Sequence, residues 1–109
     1  MAGALRLCSQ AEVPEGEGRR VETEIGDFAV FRLDGAFFVL ANACTHGPGH
    51  LGLSPVEEGE VVCEAHRGRF DIRTGRATRL PCREAVQVWD AVLRDGAIWI
   101  DPDLGRVAD

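Results

Sequence analysis

The chain contains no Lys and no Tyr, a single Met, and no apolar run approaching the roughly 20 residues that a membrane span requires. Its longest apolar stretch, Ala36 to Ala41, is the size of a strand. The opening Met-Ala-Gly-Ala-Leu-Arg-Leu-Cys has no basic segment followed by an apolar one, so neither an export signal nor a membrane anchor is expected, and the cytoplasm is the expected location. No stretch of 11 or more residues carries a helical period. What remains is an ordinary globular composition, 45% hydrophobic and 28% charged over 109 residues. That length suits one domain (1–109) burying about 65% of its unfolded surface, and excludes a multidomain enzyme.

Charge is unevenly spread. Twelve Arg oppose 18 acids for a net charge of −6, which makes a poor partner for nucleic acid. Residues 1–62 sum to −6 and residues 84–109 to −4, while residues 63–83 sum to +4. The six Arg of this island are Arg67, Arg69, Arg73, Arg76, Arg79 and Arg83. They read either as a solvated loop surface paired with local acids or as a frame that steers docking to an acidic partner. The opposite arrangement, docking through Glu57, Glu58, Glu60 and Glu64 onto a basic partner, is also open.

Patterning predicts an all-β fold. Val21, Thr23 and Ile25 alternate with polar or small residues, as in a half-buried strand. Asp34-Gly35 separates Phe28–Leu33 from Ala36–Leu40, and Asp95-Gly96 separates Ala91–Arg94 from Ala97–Ile100; both read as tight hairpins. Another strand is expected at Ala85–Trp89, and Trp89 and Trp99 are expected in the core. Between these halves, residues 42–83 are rich in Gly, hold all three His, and show only two short strands, Glu60–Cys63 and Arg69–Ile72. The expectation is an antiparallel base (1–41 and 84–109) carrying a loop-rich subdomain (42–83).

Four Cys in a reducing compartment point to metal or free thiols rather than disulfides. Cys44-Thr45-His46 and Cys63-Glu64-Ala65-His66 form C-x-H, a 16-residue spacer, and C-x-x-H. Each half offers one thiolate and one imidazole beside a Gly. Zinc modules pair like with like, C-x₂₋₄-C and H-x₃₋₅-H, so a structural Cys₂His₂ zinc site fits the order poorly. A [2Fe–2S] centre with two Cys on one iron and two His on the other suits the split. His50, Cys8 and Cys82 are left over: an exposed loop residue and two unpaired thiols.

CTHGPGH and CEAHRGRFD resemble the two cluster-binding boxes of Rieske proteins. With the RFDIRTG turn, the Pro81 segment and the closing hairpin, the chain is most similar to the small Rieske ferredoxins of bacterial aromatic-ring-hydroxylating dioxygenases. The resemblance implies a Rieske fold, an antiparallel sandwich or barrel-like base with a cluster-binding subdomain. It implies one [2Fe–2S] cluster, with Cys44 and Cys63 on the inner iron, His46 and His66 on the outer one, and Pro81 in a third, covering loop that would bring Cys82 near enough to the cluster to be oxidation-sensitive. It further implies a monomeric one-electron carrier, not itself an enzyme, between an NAD(P)H-dependent reductase and a terminal oxygenase; another oxygenase or oxidase is the nearer alternative. The boxes lack the extra Cys pair of respiratory Rieske proteins. Gly68 and Phe70 stand where those proteins have hydroxyl donors, which implies a potential near the bottom of the roughly −150 to +300 mV Rieske range. His50 is the only His beyond the boxes, so no mononuclear iron site of two His and a carboxylate can form on this chain.

Overall fold

Both Asp-Gly pairs turn the chain as their chemistry dictates. Asp34 and Gly35 sit at φ 52° and 79°, Asp95 and Gly96 at 51° and 74°, the two positive values that a tight hairpin with right-twisted strands requires. The computed structural model describes residues 4–45, 47–65 and 67–108. Its strands are β1 (Leu5–Ser9), β2 (Gly18–Thr23), β3 (Gly26–Leu33), β4 (Ala36–Ala41), β5 (Val56–Glu57), β6 (Glu60–Val62), β7 (Arg69–Asp71), β8 (Ala77–Arg79), β9 (Gln87–Trp89), β10 (Val92–Arg94), β11 (Ala97–Ile100) and β12 (Arg106–Val107). Single 3₁₀ turns lie at Gln10–Glu12, Leu51–Leu53 and Pro102–Leu104, and there is no α-helix among the described residues.

All strand pairs are antiparallel, in three sheets: β12-β9-β4-β3-β2, β1-β11-β10 and β5-β6-β7-β8. The last sheet draws every strand from residues 42–83, and the other two draw none from there.

Strand β3 explains how the sheets share one protein. Its side chains alternate between faces, and five of its eight residues, Phe28–Phe31 and Leu33, are buried. Phe28 and Val30 join Leu7, Val13, Val39, Ile98 and Ile100 in one core, against the three-stranded sheet. Ala29, Phe31 and Leu33 join Leu40, Leu51, Val61, Phe70 and Ile72 in a second core, against the loop-rich segment. A strand covered on both faces reads as a continuous apolar run, which is what Phe28–Phe31 displays before Arg32 interrupts it. The completely buried Phe31 and Phe70 in the second core each contribute about 1.5–3 kcal/mol.

Some expectations need correction. The Val21–Ile25 alternation does not continue as a strand: β2 stops at Thr23, and Ile25 is exposed. The Thr23 hydroxyl donates to the Gly26 carbonyl (2.6 Å) and accepts from the Ile25 N–H (3.2 Å), turning the chain before alternation can bury Ile25. Residues 42–83 form four short strands rather than two; β5 pairs with β6 across a Glu58-Gly59 turn at φ 53° and 78°. Of the two Trp expected in the core, Trp89 is partly buried against the first core, while Trp99 joins neither core. Trp89 packs edge-on against Phe28 and donates to the Pro102 carbonyl (3.0 Å), and the Trp99 ring lies under Arg94.

Candidate metal centre

Three loops converge at the end of the second core. The first is closed by Asn42. Its carbonyl accepts from the Leu51 N–H (2.8 Å), its side-chain Oδ1 accepts from the Gly52 N–H (2.8 Å), and its Nδ2 therefore donates to His50 Nδ1 (2.9 Å). A bridge between Ala43 and His50 and a bond from the Cys44 N–H to the Gly49 carbonyl (3.3 Å) complete the hairpin. This places the Cys44 side chain inward and buried. His50 is exposed, as expected, but it is held in place rather than loose.

The second loop is built the same way. The Cys63 N–H donates to the Gly68 carbonyl (2.8 Å), and the Arg67 N–H donates back to the Cys63 carbonyl (2.7 Å). Arg67 takes φ 62° to make that return, and Cys63 is fully buried. The third loop follows β8: the Cys82 N–H donates to the Arg79 carbonyl (3.1 Å) and the Cys82 thiol turns inward. It is tied to the first loop by the Thr45 hydroxyl, which donates to the Glu84 carbonyl (2.7 Å). Thr45, Pro81, Arg83 and Glu84 line a shallow recess between them.

The fit of a cluster can be read from Gly49. A Cβ there would lie 2.8 Å from Cys63 Sγ and 3.3 Å from the Cys44 Cβ, so one backbone position is wedged between the two thiol side chains. Two Cys separated by 18 residues thus converge on a buried point where Gly alone leaves room. Soft thiolates from separate loops, shielded from water and free of disulfides, are the donors that one iron of a mixed Cys/His cluster needs. His46 and His66 lie outside the described residues.

Cys82, set down from the sequence as an unpaired thiol, belongs to this constellation. Its Sγ is 3.8 Å from Cys44 Sγ, and a Cβ on Gly68 would fall 2.3 Å from the same sulfur. Burial, and next the neighbouring Cys44 thiol, pushes Cys82 up to about 12. Cys8 is buried in the other core, and that burial raises its thiol as well.

The arginine island separates into two groups. Arg69 pairs with Glu57 (2.8 Å) and Glu60 (3.3 Å), and Arg73 with Asp34 (2.9 Å) while covering the Phe38 ring. Arg67, Arg76, Arg79 and Arg83 are exposed and make no ion pair among the described residues.

Residues 3–90 match the family model described as the Rieske [2Fe-2S] domain. The chain is 38% identical over 97 residues to the ferredoxin component of the p-cumate 2,3-dioxygenase system of Pseudomonas putida, covering 87% of this chain and 82% of that one. It is 35% identical over 97 residues to the 3-phenylpropionate/cinnamic acid dioxygenase ferredoxin subunit of Photorhabdus laumondii, covering 88% and 91%. Among solved structures it is similar to a Sphingomonas yanoikuyae B1 ferredoxin, with a TM-score of 0.85 and 38% identity over 89% of this chain and 96% of that one. These likenesses set aside the zinc reading of the Cys/His pattern. The chain belongs to the Rieske [2Fe-2S] domain family and is an electron-carrying ferredoxin, not itself a catalyst, whose cofactor is a Rieske-type [2Fe-2S] cluster.

Proposed function

We propose that this protein receives single electrons from an NAD(P)H-dependent reductase and delivers them to the terminal oxygenase of an aromatic-ring dioxygenase system. The observation that carries the reading is the convergence of buried Cys44 and Cys63 on Gly49. Relatives named for p-cumate, 3-phenylpropionate/cinnamic acid and biphenyl dioxygenases support the aromatic class. When bound, the cluster supplies a one-electron couple. The buried Cys44 and Cys63 would hold it as thiolates, and His46 and His66, from the same two sequence boxes, would complete the ligand set. The first and second loops exclude water from the thiolates, and the third braces the first through Thr45.

Residues 42–83 act as the cluster-binding subdomain and residues 1–41 with 84–109 as the base, a division supported by the four-stranded sheet drawing all its strands from 42–83. The carrier works as a monomer in the cytoplasm. No helix among the described residues is long and apolar enough to cross a membrane.

The test is electron paramagnetic resonance of the dithionite-reduced protein, followed by mixing with a terminal oxygenase of this class. A rhombic signal of low average g, lost in Cys44→Ser and Cys63→Ser and discharged by the oxygenase, is expected. A colourless, zinc-containing sample that no reconstitution turns red-brown would overturn the reading.

A further inference from the structure

Cys82 is a third buried thiol, 3.8 Å from the Cys44 sulfur, and Cys44 is its one side-chain hydrogen-bond partner among the described residues. Between two free thiols either could donate. Once Cys44 binds iron it has lost its proton, so the direction is fixed: only Cys82 has a hydrogen to give.

The surroundings hold the donor in place. Gly68, in the loop that carries Cys63, has no Cβ, and one built there would stand 2.3 Å from Cys82 Sγ and 3.0 Å from the Cys82 nitrogen. The Cys82 sulfur therefore occupies the space that a side chain at position 68 would take, and no residue other than Gly at 68 fits beside it. Its own N–H is spent on the Arg79 carbonyl (3.1 Å), which anchors its backbone while the thiol reaches Cys44.

We infer that Cys82 is a positioning residue that donates an S–H···S hydrogen bond to the cluster ligand Cys44 and thereby sets the reduction potential. A donor aimed at a ligand sulfur stabilises the form with more electron density on that sulfur, which is the reduced one. This inference rests on Cys44 holding the cluster, and it restores one donor to a site whose Gly68 and Phe70 offer none from their side chains.

The experiment compares the loaded wild type with C82A and C82S by potential titration, and by infrared spectroscopy of S–H stretching in the oxidised and reduced states. Because the bond is stronger in the reduced state than in the oxidised one, the reduction equilibrium constant is expected to be about fivefold lower in C82A. At 59 mV per tenfold for one electron, that is about 40 mV more negative. C82S, which keeps a donor, is expected to recover part of the loss.

With Cys44 and Cys63 on the iron, wild type retains two thiols, Cys8 and Cys82. The S–H band that disappears in C82S is expected to move to lower frequency on reduction, while the Cys8 band in the other core stays fixed. An unshifted potential in C82A, or two S–H bands indifferent to reduction in wild type, overturns the inference. The infrared result stands even where C82A fails to fold. A wild type without a Rieske signal overturns the cluster assignment itself and this inference with it, whereas a normal wild-type signal with an unaltered C82A potential overturns this inference alone.

Discussion

Asn42 commits both its backbone groups and both ends of its amide to the base of the first loop, taking Asp27, Leu51, Gly52 and His50 as partners. It is one of the few buried polar residues, and Gly52, whose N–H it satisfies, is buried too. Replacing Asn42 by Ala leaves that N–H with no partner, at a cost of about 1–3 kcal/mol. In a domain of this size the expected fall in Tm is about 5–15 °C by calorimetry of the loaded protein. Asn42→Asp, which keeps the acceptor for Gly52, is expected to lose less; equal losses would mean that the amide-to-His50 bond carries the weight instead. Nothing in the sequence marked Asn42, because an Asn before a Gly-rich segment reads as ordinary loop chemistry. Cys44 and Cys63 were legible because a thiol and an imidazole in each of two boxes form a rare pattern. Cys82 was legible only as a neighbour, since its approach to Cys44 spans 38 residues and depends on how the third loop folds back.

Elements show the same division between local and long-range information. The Asp-Gly hairpins were readable because positive φ at two successive residues is a property of the turn itself. The β5–β6 hairpin uses the same geometry with Glu58 in place of Asp, and its strands are too short for a pattern to register. The end of β2 at Thr23 depends on one hydroxyl competing for backbone partners, which alternation alone does not reveal. The seating of the first loop is still less local. Its 3₁₀ turn, Leu51–Leu53, lies against β2 so closely that a Cβ on Gly52 would be 2.6 Å from both the Cα and the nitrogen of Arg20. Backbone cannot move aside as a flexible side chain can. Gly52→Ala is therefore expected to lift the loop from β2, destabilising the fold by about 1–3 kcal/mol. The lifted loop should also shorten cluster retention, measured as the rate at which a chelator bleaches the visible absorbance. Bleaching at the wild-type rate with unchanged stability would show that the loop relocates freely, contrary to this packing.

At the scale of the whole molecule, the pairing of charges bears on the two docking polarities that the sequence left open. Of the acids proposed as an alternative docking surface, Glu57 and Glu60 are both tied to Arg69, which reduces the field they project. Arg83 borders the recess between the first and third loops, Arg67 lies in the second, and neither has an acid to pair with among the described residues. A −6 protein thus presents unpaired arginines beside the loops that carry Cys44 and Cys63. Transient electron-transfer contacts draw their on-rate from such fields. The rate of delivery to the oxygenase, followed by stopped flow, is expected to fall as salt shortens the Debye length from about 30 Å at 0.01 M to about 3 Å at 1 M. A fall with salt alone would suit either polarity, so charge reversal is the discriminating step. Arg83→Glu is expected to slow delivery severalfold at low salt and to converge with wild type at high salt. Arg94→Glu, which makes the same change in net charge on the three-stranded sheet, is expected to have little effect. If Arg83→Glu instead speeds delivery, the acidic face docks; if it matches Arg94→Glu, the oxygenase responds only to net charge and the arginines near the recess do not guide it.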